Sequence, residues 1–322
     1  MPLLTRRAAG FAVLAAATLP ARSMAQTQAH AAPAFLTVPG FHRIRVGTYT
    51  VTFLFDGIAR LPLDGLVSNQ PVEAVRALLA DSFMPTEHLL STYTAVVVDT
   101  GRRKLLFDAG TGGQLAPTAG GMVANMQAAG IQPADIDAVV LTHCHADHVV
   151  GLTTRDDQAV FPNAELVVPE GEWRYWTDRT HESTAPARQR MHFAIVARRF
   201  GPYANRTRQI AEGQEVAPGI RSLPTPGHTV AHVSWLVADG NEQLLILGDV
   251  TSRPEVFVRR PDFHLLFDAD PVAAEATRRR VLDRAAADRI RVTGYHFPFP
   301  SHGYIARDGA NGYRFVLSNW MI

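Results

Sequence analysis

Six consecutive positions constrain this chain more than any other part of it. His143-Cys144-His145-Ala146-Asp147-His148 sets three imidazoles and one carboxylate directly after the apolar run Ala138–Thr142. The run reads as a buried strand, and the polar cluster as the loop at its end. Residues two apart on an extended segment face the same way, so His143 and His145 can share one cation. Cys144 between them faces away and is expected to be a small buried residue rather than a ligand. Beyond the strand the chain turns, and Asp147 and His148 can face a second cation from the other side. A single histidine is ordinarily a core or surface residue, but this density at a strand end points to metal.

The rest of the composition allows a large folded enzyme and excludes other classes. In 322 residues, 47 % are hydrophobic and 19 % charged, a globular profile rather than a disordered one. A formal charge of +1 gives no electrostatic case for nucleic acid or an anionic membrane surface. The single cysteine rules out an internal disulfide. Residues 1–25 read as a secretory signal: Arg6-Arg7, the apolar run Ala8–Ala21, then the small-x-small exit Ser23-Met24-Ala25. The paired arginines, with Phe11 following, suggest the twin-arginine route. At about 14 residues the apolar run is short of the roughly 20 needed to span a bilayer, so no stable membrane anchor is expected. Cleavage would remove Arg6, Arg7 and Arg22 and no acid, taking the charge from +1 to about −2. A periplasmic or secreted location follows from this reading.

Residues 26–40 are small, polar and proline-containing, and read as a linker into one domain over 41–322. Strands are expected at Tyr49–Phe55, Thr94–Asp99, Lys104–Phe107, Ala138–Thr142, Glu165–Val168, His232–Val237, Gln243–Leu247 and Arg291–Thr293. A hairpin turn is expected at Asp99-Thr100-Gly101-Arg102. Helices are expected at Pro71–Asp81, Gly121–Ala129, Gly171–Thr177, Ala185–Arg199 and Pro271–Ala287, the last capped by Asp270. Several strands end just before a histidine or aspartate: Thr142 before His143, Leu247 before Asp249, Thr293 before His296. That is how layered α/β folds deliver polar groups to a site.

The motif His-x-His-x-Asp-His resembles the signature of the metallo-β-lactamase superfamily, and further motifs follow that family's order. Phe107-Asp108-Ala109-Gly110-Thr111 resembles its F-D-x-G segment, and Thr225-Pro226-Gly227-His228-Thr229 its next histidine loop. Leu247-Gly248-Asp249 is similar to the loop carrying a bridging aspartate, and Gly294-Tyr295-His296-Phe297-Pro298-Phe299-Pro300 to the final histidine loop. The resemblance implies an α/β fold, a four-layer αββα sandwich. It implies His143, His145 and His228 on a first metal, Asp147, His148 and His296 on a second, and Asp249 bridging. Asp147 and Asp249 are thereby the expected catalytic carboxylates. Nitrogen-rich ligands with two carboxylates suit two divalent ions, zinc first among them. Such a centre supplies a metal-bridging hydroxide as nucleophile and stabilises developing oxyanion charge, so no serine or cysteine nucleophile is needed.

Within the superfamily, Gly121–Gly151 and Tyr295–Pro300 resemble the methyl parathion hydrolase-like branch, although Ser301-His302-Gly303 stands where a more glycine-rich turn is expected. The implied activity is hydrolysis of a neutral small-molecule ester: a lactone, aryl ester or phosphotriester. The alternatives are a β-lactamase, a mononuclear-iron redox or persulfide enzyme, or a non-catalytic metal-binding protein on the same fold. Whether the chain pairs as a homodimer is left open. Asp108 is expected to orient a ligand histidine. His232 reads equally as a support for the ligands or a core residue. His302 reads as a pocket-lining or an exposed loop histidine. Trp173, Trp176 and Phe267 are candidates for an aromatic pocket wall.

Overall fold

The alternation of side chains along single strands assigns the two faces of each sheet. In the segment His88–Asp99, Ala95 and Val97 enter one apolar cluster while Val96 and Val98 enter another. In Lys104–Phe107, Leu106 joins the first cluster, and Leu105 and Phe107 the second. Strands apolar on both faces belong in the middle of a layered structure. The computed structural model describes residues 39–319. The expected signal segment 1–25 and all of the 26–40 linker except Pro39 and Gly40 lie outside the described residues.

Among the described residues there are two seven-stranded sheets, each ordered as the chain runs. The first comprises β1 (Phe41–Val46), β2 (Tyr49–Pro62), β3 (His88–Asp99), β4 (Lys104–Phe107), β5 (Ala138–Val140), β6 (Glu165–Pro169) and β7 (Thr207–Ile210). The second comprises β8 (Glu215–Ala217), β9 (Ile220–Pro224), β10 (Val233–Asp239), β11 (Glu242–Ile246), β12 (Arg291–Thr293), β13 (His302–Asp308) and β14 (Gly312–Leu317). From β4 to β7 the pairs are parallel, as is β11 with β12, and the remaining pairs are antiparallel.

The sheets share one core, in which Val96, Phe107 and Val140 of the first meet Val233, Trp235 and Ile246 of the second. The α-helices before the second sheet are α1 (Val72–Asp81), α2 (Met122–Ala128), α3 (Ala146–Val149), α4 (Glu170–Thr177), α5 (Arg179–Thr184) and α6 (Ala187–Phe200), of which α2, α4 and α6 pack against the outer face of the first sheet. The outer face of the second packs against α7 (Pro271–Ala287) through Val281, Leu282 and Ala285. The result is a four-layer α/β sandwich. No helix among the described residues is long and apolar enough to cross a membrane.

Most expected elements appear with shifted ends, and the shifts have physical causes. The strand expected to stop at Phe55 runs on to Pro62, through a bulge at Phe55/Gly57, and stays paired with a third strand that starts at His88 instead of Thr94. Asp56 interrupts the apolar pattern there, yet it is buried and satisfied by the backbone N–H of Thr111 and of Met122. The strand leading to the metal motif ends at Val140 instead of Thr142, because Thr142 N donates to Asp108 Oδ1 (2.8 Å) rather than to a ladder. Helix α7 has the expected bounds, and Asp270 Oδ1 accepts from Val272 N and Ala273 N.

His302 is neither in the cleft nor exposed. It lies within β13, 3 % exposed, its ring stacked 4.7 Å from Phe53 and 5.0 Å from His42. Burial lowers its pKa from 6.5 to about 4. A depressed histidine pKa stabilises the fold above the unfolded value and loses that contribution as pH falls from 6.5 towards 4. His302 should therefore withdraw about 2 kcal/mol of stability between neutral pH and about pH 5. In urea titrations at the two pH values, His302→Phe should lose less stability than wild type by about that amount. Equal losses in both proteins would show that His302 does not titrate on unfolding.

Candidate metal centre

Loops from both sheets converge at one end of the seam between them. Leu141 N continues the first sheet by donating to Val167 O, and Leu141 O accepts from Trp235 Nε1 of the second sheet (3.1 Å). Thr142 O accepts from Val233 N (3.0 Å), so the His143–His148 loop is pinned to β10 where the His228 loop enters it. β11 delivers Asp249 and β12 delivers His296 to the same edge. Gly248 between them has φ +57°, and a Cβ there would stand 2.6 Å from His232 Nε2, so glycine lets this loop close on its neighbour.

All seven sequence-expected ligands come together. Ligand atoms of His143, His145 and His228 lie within 4.8 Å of one another, as do those of Asp147, His148 and His296. Asp249 stands between the two sets: Oδ2 is 3.3 Å from His228 Nε2 and 3.1 Å from His296 Nε2, and Oδ1 is 3.5 Å from His148 Nε2. It also forms a compact group with His143 and His148. His143 Nε2, His148 Nε2 and Asp249 Oδ1 are buried without a hydrogen-bond partner. Leaving one such group unpaired costs about 1–3 kcal/mol, so three at one point mark a site that fits a cation rather than a packing choice. A donor set of imidazole nitrogens and carboxylate oxygens fits divalent ions.

The protonation pattern carries the same information. Burial pushes His143 and His145 well below the ordinary histidine value, and neighbouring imidazoles add to it. Burial would lower His148 too, but Asp147, Asp249 and Asp108 override it and raise the imidazole well above 6.5. His296 is raised in the same way, against burial, chiefly by Asp249. Burial opposes ionisation of Asp249, yet His296 and His148 hold its carboxyl well below the usual range. The centre thus attracts positive charge onto two of the histidines that border Asp249, His148 and His296.

Four of the five ligand histidines, all but His145, are aimed by a partner on the far side of the ring. Asp108 Oδ2 accepts from His148 Nδ1 (2.8 Å) and from the Thr142 hydroxyl (2.9 Å), which leaves that hydroxyl to accept from His143 Nδ1 (3.0 Å). One carboxylate therefore orients two ligand histidines, the role expected of it. Asp108 sits at φ 60°, an uncommon conformation for a non-glycine residue, held by these bonds and by Thr142 N. His228 Nδ1 donates to Asp268 Oδ1 (2.9 Å), and His296 Nδ1 to Thr92 O (2.9 Å). His232 is a support: its Nε2 accepts from Asp249 N (2.9 Å), and its Nδ1 meets Thr225 Oγ1 (2.8 Å).

Several supporting residues escaped the sequence reading. Glu172, fully buried, accepts from Cys144 N, Thr229 Oγ1, Ala231 N and Trp176 Nε1, and so ties the His143–His145 segment to the His228 loop. The buried Arg278 of α7 donates to Asp268 Oδ2 (3.1 Å) and to the carbonyls of Val250, Pro261 and Phe263. Tyr295 donates to Asp147 O (2.7 Å), its ring 3.9 Å from that of His148. The available signal for Glu172 was an acid next to Trp173 and four positions before Trp176, and there was none for the others.

A cleft of about 380 Å³ opens over His145, Asp147, His228, Asp249 and His296. Its apolar walls include Leu61, Leu89, Leu115, Met191, Leu265 and Phe267. Phe267 lines the cleft as expected, whereas Trp173 and Trp176 do not. Trp173 stacks on Phe200 at 5.8 Å, and Trp176 is buried behind His145 with its N–H on Glu172. Cys144 is buried in the apolar cluster under the first sheet, facing away from the centre.

Residues 90–291 match the family model described as the metallo-beta-lactamase superfamily. Metallo-beta-lactamase domain-containing protein 1 of Homo sapiens is 29 % identical over 209 residues, 64 % of this chain and 62 % of that protein. Its Xenopus laevis counterpart is 29 % identical over 190 residues, 58 % of this chain and 66 % of that one. This chain thus spans less than two thirds of the length of either relative. Among solved structures, hydrolase AbOPH of the beta-lactamase superfamily superposes with a TM-score of 0.84 at 25 % identity, covering 88 % of this chain and 99 % of that one. AidC, a dizinc quorum-quenching lactonase, superposes with a TM-score of 0.81 at 22 % identity, again over 88 % and 99 %. At that identity the second likeness speaks for the fold alone.

Three substitutions test the centre. Asp249→Ala removes the carboxylate that reaches both ligand sets and should lower bound metal, counted by elemental analysis, below that of wild type prepared with excess zinc. Asp108→Asn should keep the fold and weaken metal affinity about 10- to 100-fold in chelator competition. Cys144→Ser should keep wild-type metal content. Metal lost from Cys144→Ser and kept by Asp249→Ala would invert the assignment of the loop's two faces.

Proposed function

The chain belongs to the metallo-β-lactamase superfamily, and from that premise we propose that it is a binuclear metal-dependent hydrolase of neutral esters. Lactones, aryl esters and phosphotriesters are the substrate classes meant. The observation that carries the substrate reading is the lining of the cleft. Its floor is the seven-residue centre, its walls are largely aliphatic, and no lysine or arginine lines it among the described residues.

An anionic substrate would find no second cationic clamp for a remote carboxylate or phosphate. A neutral ester needs none, and gains negative charge only on the way to the transition state. Two divalent ions bound by the seven residues would supply a water ionised near neutral pH and a positive field on the oxygen that gains charge. The protein's own share is positioning. His143, His145 and His228 would hold one ion and Asp147, His148 and His296 the other, with Asp249 reaching both. Asp108, Asp268 and His232 keep those side chains from rotating, and the apolar walls exclude bulk water from the reacting bond.

A lactone is the first substrate to try, since a dizinc lactonase shares the fold. The methyl parathion hydrolase-like branch, with which Gly121–Gly151 and Tyr295–Pro300 agree, makes a phosphotriester the second. A β-lactam is disfavoured because the only cysteine is buried behind the centre and cannot serve as a ligand.

The test compares kcat/KM on zinc-loaded protein across aryl phosphotriester, diester and monoester with one leaving group, with a lactone and a β-lactam beside them. The neutral substrates should exceed the mono- and dianionic ones by about tenfold or more, the scale of one missing charged contact. A clear preference for an anionic phosphate ester would overturn the reading.

A further inference from the structure

One side chain of the cleft outside the ligand set has a buried polar atom that is committed neither to the metal ligands nor to the fold. His192 lies on α6 and faces the cleft, its ring 4.8 Å from that of His145 and 5.7 Å from that of Trp176. These two rings fix its orientation. Its Nδ1 is buried and has no hydrogen-bond partner, and its other nitrogen makes no hydrogen bond to a described residue.

The neighbouring polar groups differ from it in burial: outside the seven ligands, His192 is, among the described residues, the cleft-lining residue whose side chain has a buried polar atom without a partner. Ser91 Oγ lies 3.0 Å from His296 Nδ1, and Gln189 Oε1 accepts from Tyr175 (3.3 Å). Tyr93 stands at the far end of the centre, 5.5 Å from the His296 ring. His192 therefore presents a buried, uncommitted imidazole at the end formed by His143, His145 and His228. In either protonation state an imidazole carries at least one N–H. Set in an apolar wall without a partner, such a group destabilises the free protein and gains a bond only when something with an acceptor binds.

We propose that His192 is a substrate-binding residue that donates a hydrogen bond to an uncharged oxygen of the substrate, outside the bond being broken. The substrate is then not a bare hydrocarbon ester. It carries a second polar acceptor, of the kind an acyl-amide carbonyl offers, on the side of the His145–His228 pair. The enzyme selects for that acceptor because a substrate without it leaves the imidazole unpaired. This inference rests on the reading of the cleft as a neutral-ester site.

The experiment uses full-length, zinc-loaded wild type, His192→Phe, which keeps a ring and removes both nitrogens, and His192→Gln, which restores a donor. Two lactones are compared, an N-acyl-homoserine lactone and an alkyl lactone of matched length without the amide. Binding of the ring-opened product, N-hexanoyl-L-homoserine, is measured by calorimetry. His192→Phe should lose about tenfold in kcat/KM on the amide-bearing lactone, and much less on its partner. It should weaken product binding by a similar factor, with metal content unchanged, and His192→Gln should recover part of both. Equal selectivity in wild type and His192→Phe would overturn the proposal while leaving the hydrolase reading intact. Loss of metal from His192→Phe would also overturn it, by making His192 a support for His145. If wild type turns over no neutral ester the hydrolase reading falls, and the binding arm alone then decides His192: wild-type binding that weakens in His192→Phe sustains it, and no difference or no binding ends it.

Discussion

The buried hydrogen bonds of Asp108 govern the rest of this structure. Its carboxylate holds His148 directly and His143 through Thr142, and the same Thr142 ends the strand that carries the motif. A carboxylate 2 % exposed is costly unless every acceptor site is used, and here the bonds that satisfy it also aim two ligand rings. The cost extends to the backbone, which adopts φ 60° at a residue with a side chain. Moving Asp108 would release two histidines at once and leave a buried charge unpaired.

The same arrangement recurs at each loop that feeds the centre. Glu172 accepts four donors from three segments, and Asp268 joins His228 to the fully buried Arg278. Arg278 in turn binds carbonyls at Val250, Pro261 and Phe263, on either side of the Asp249 loop and the cleft wall. A buried ion pair adds little net stability over an apolar substitute, but losing one member costs about 3–5 kcal/mol. Such pairs therefore act as locks on geometry. Asp268 also accepts from Leu265 N, so the loop carrying Leu265, Leu266 and Phe267 is set by the carboxylate that sets His228. Metal geometry and cleft shape are coupled through that one side chain.

The contrast between floor and walls gives the cleft its chemistry. The floor concentrates imidazoles and carboxylates that call for cations, while the walls are leucine, methionine and phenylalanine. An apolar wall lowers the local dielectric, which strengthens any charge interaction at the floor and makes an unpaired polar group in the wall conspicuous. His192 is conspicuous in that sense. Trp176 is not, because its N–H is spent on Glu172.

The sequence by itself determined the elements with strong local signals. The apolar run in Lys104–Phe107, the short strand Arg291–Thr293 and the Asp270-capped helix Pro271–Ala287 were read with the bounds that the structure shows. The seven clustered residues were legible because their motifs are contiguous and each follows a strand. The C-terminal hairpin His302–Leu317, the edge strand β1 and the strands β7 to β9 were not read, since short, partly polar strands gain their order from pairing with a neighbour. Asp56 hid the continuation of β2 because its partners, Thr111 and Met122, lie far along the chain. Tertiary structure alone decided that His232 holds Asp249, that His302 stacks on Phe53, and that Trp176 turns its back on the cleft. It alone decided, too, that Glu172, Asp268 and Arg278 serve the centre from outside it. A ligand is marked by its own residue type and motif, but a residue that positions a ligand is defined by contacts between distant segments, such as the 40 residues separating Asp108 from His148 and the 57 separating Glu172 from Thr229, which no local pattern records.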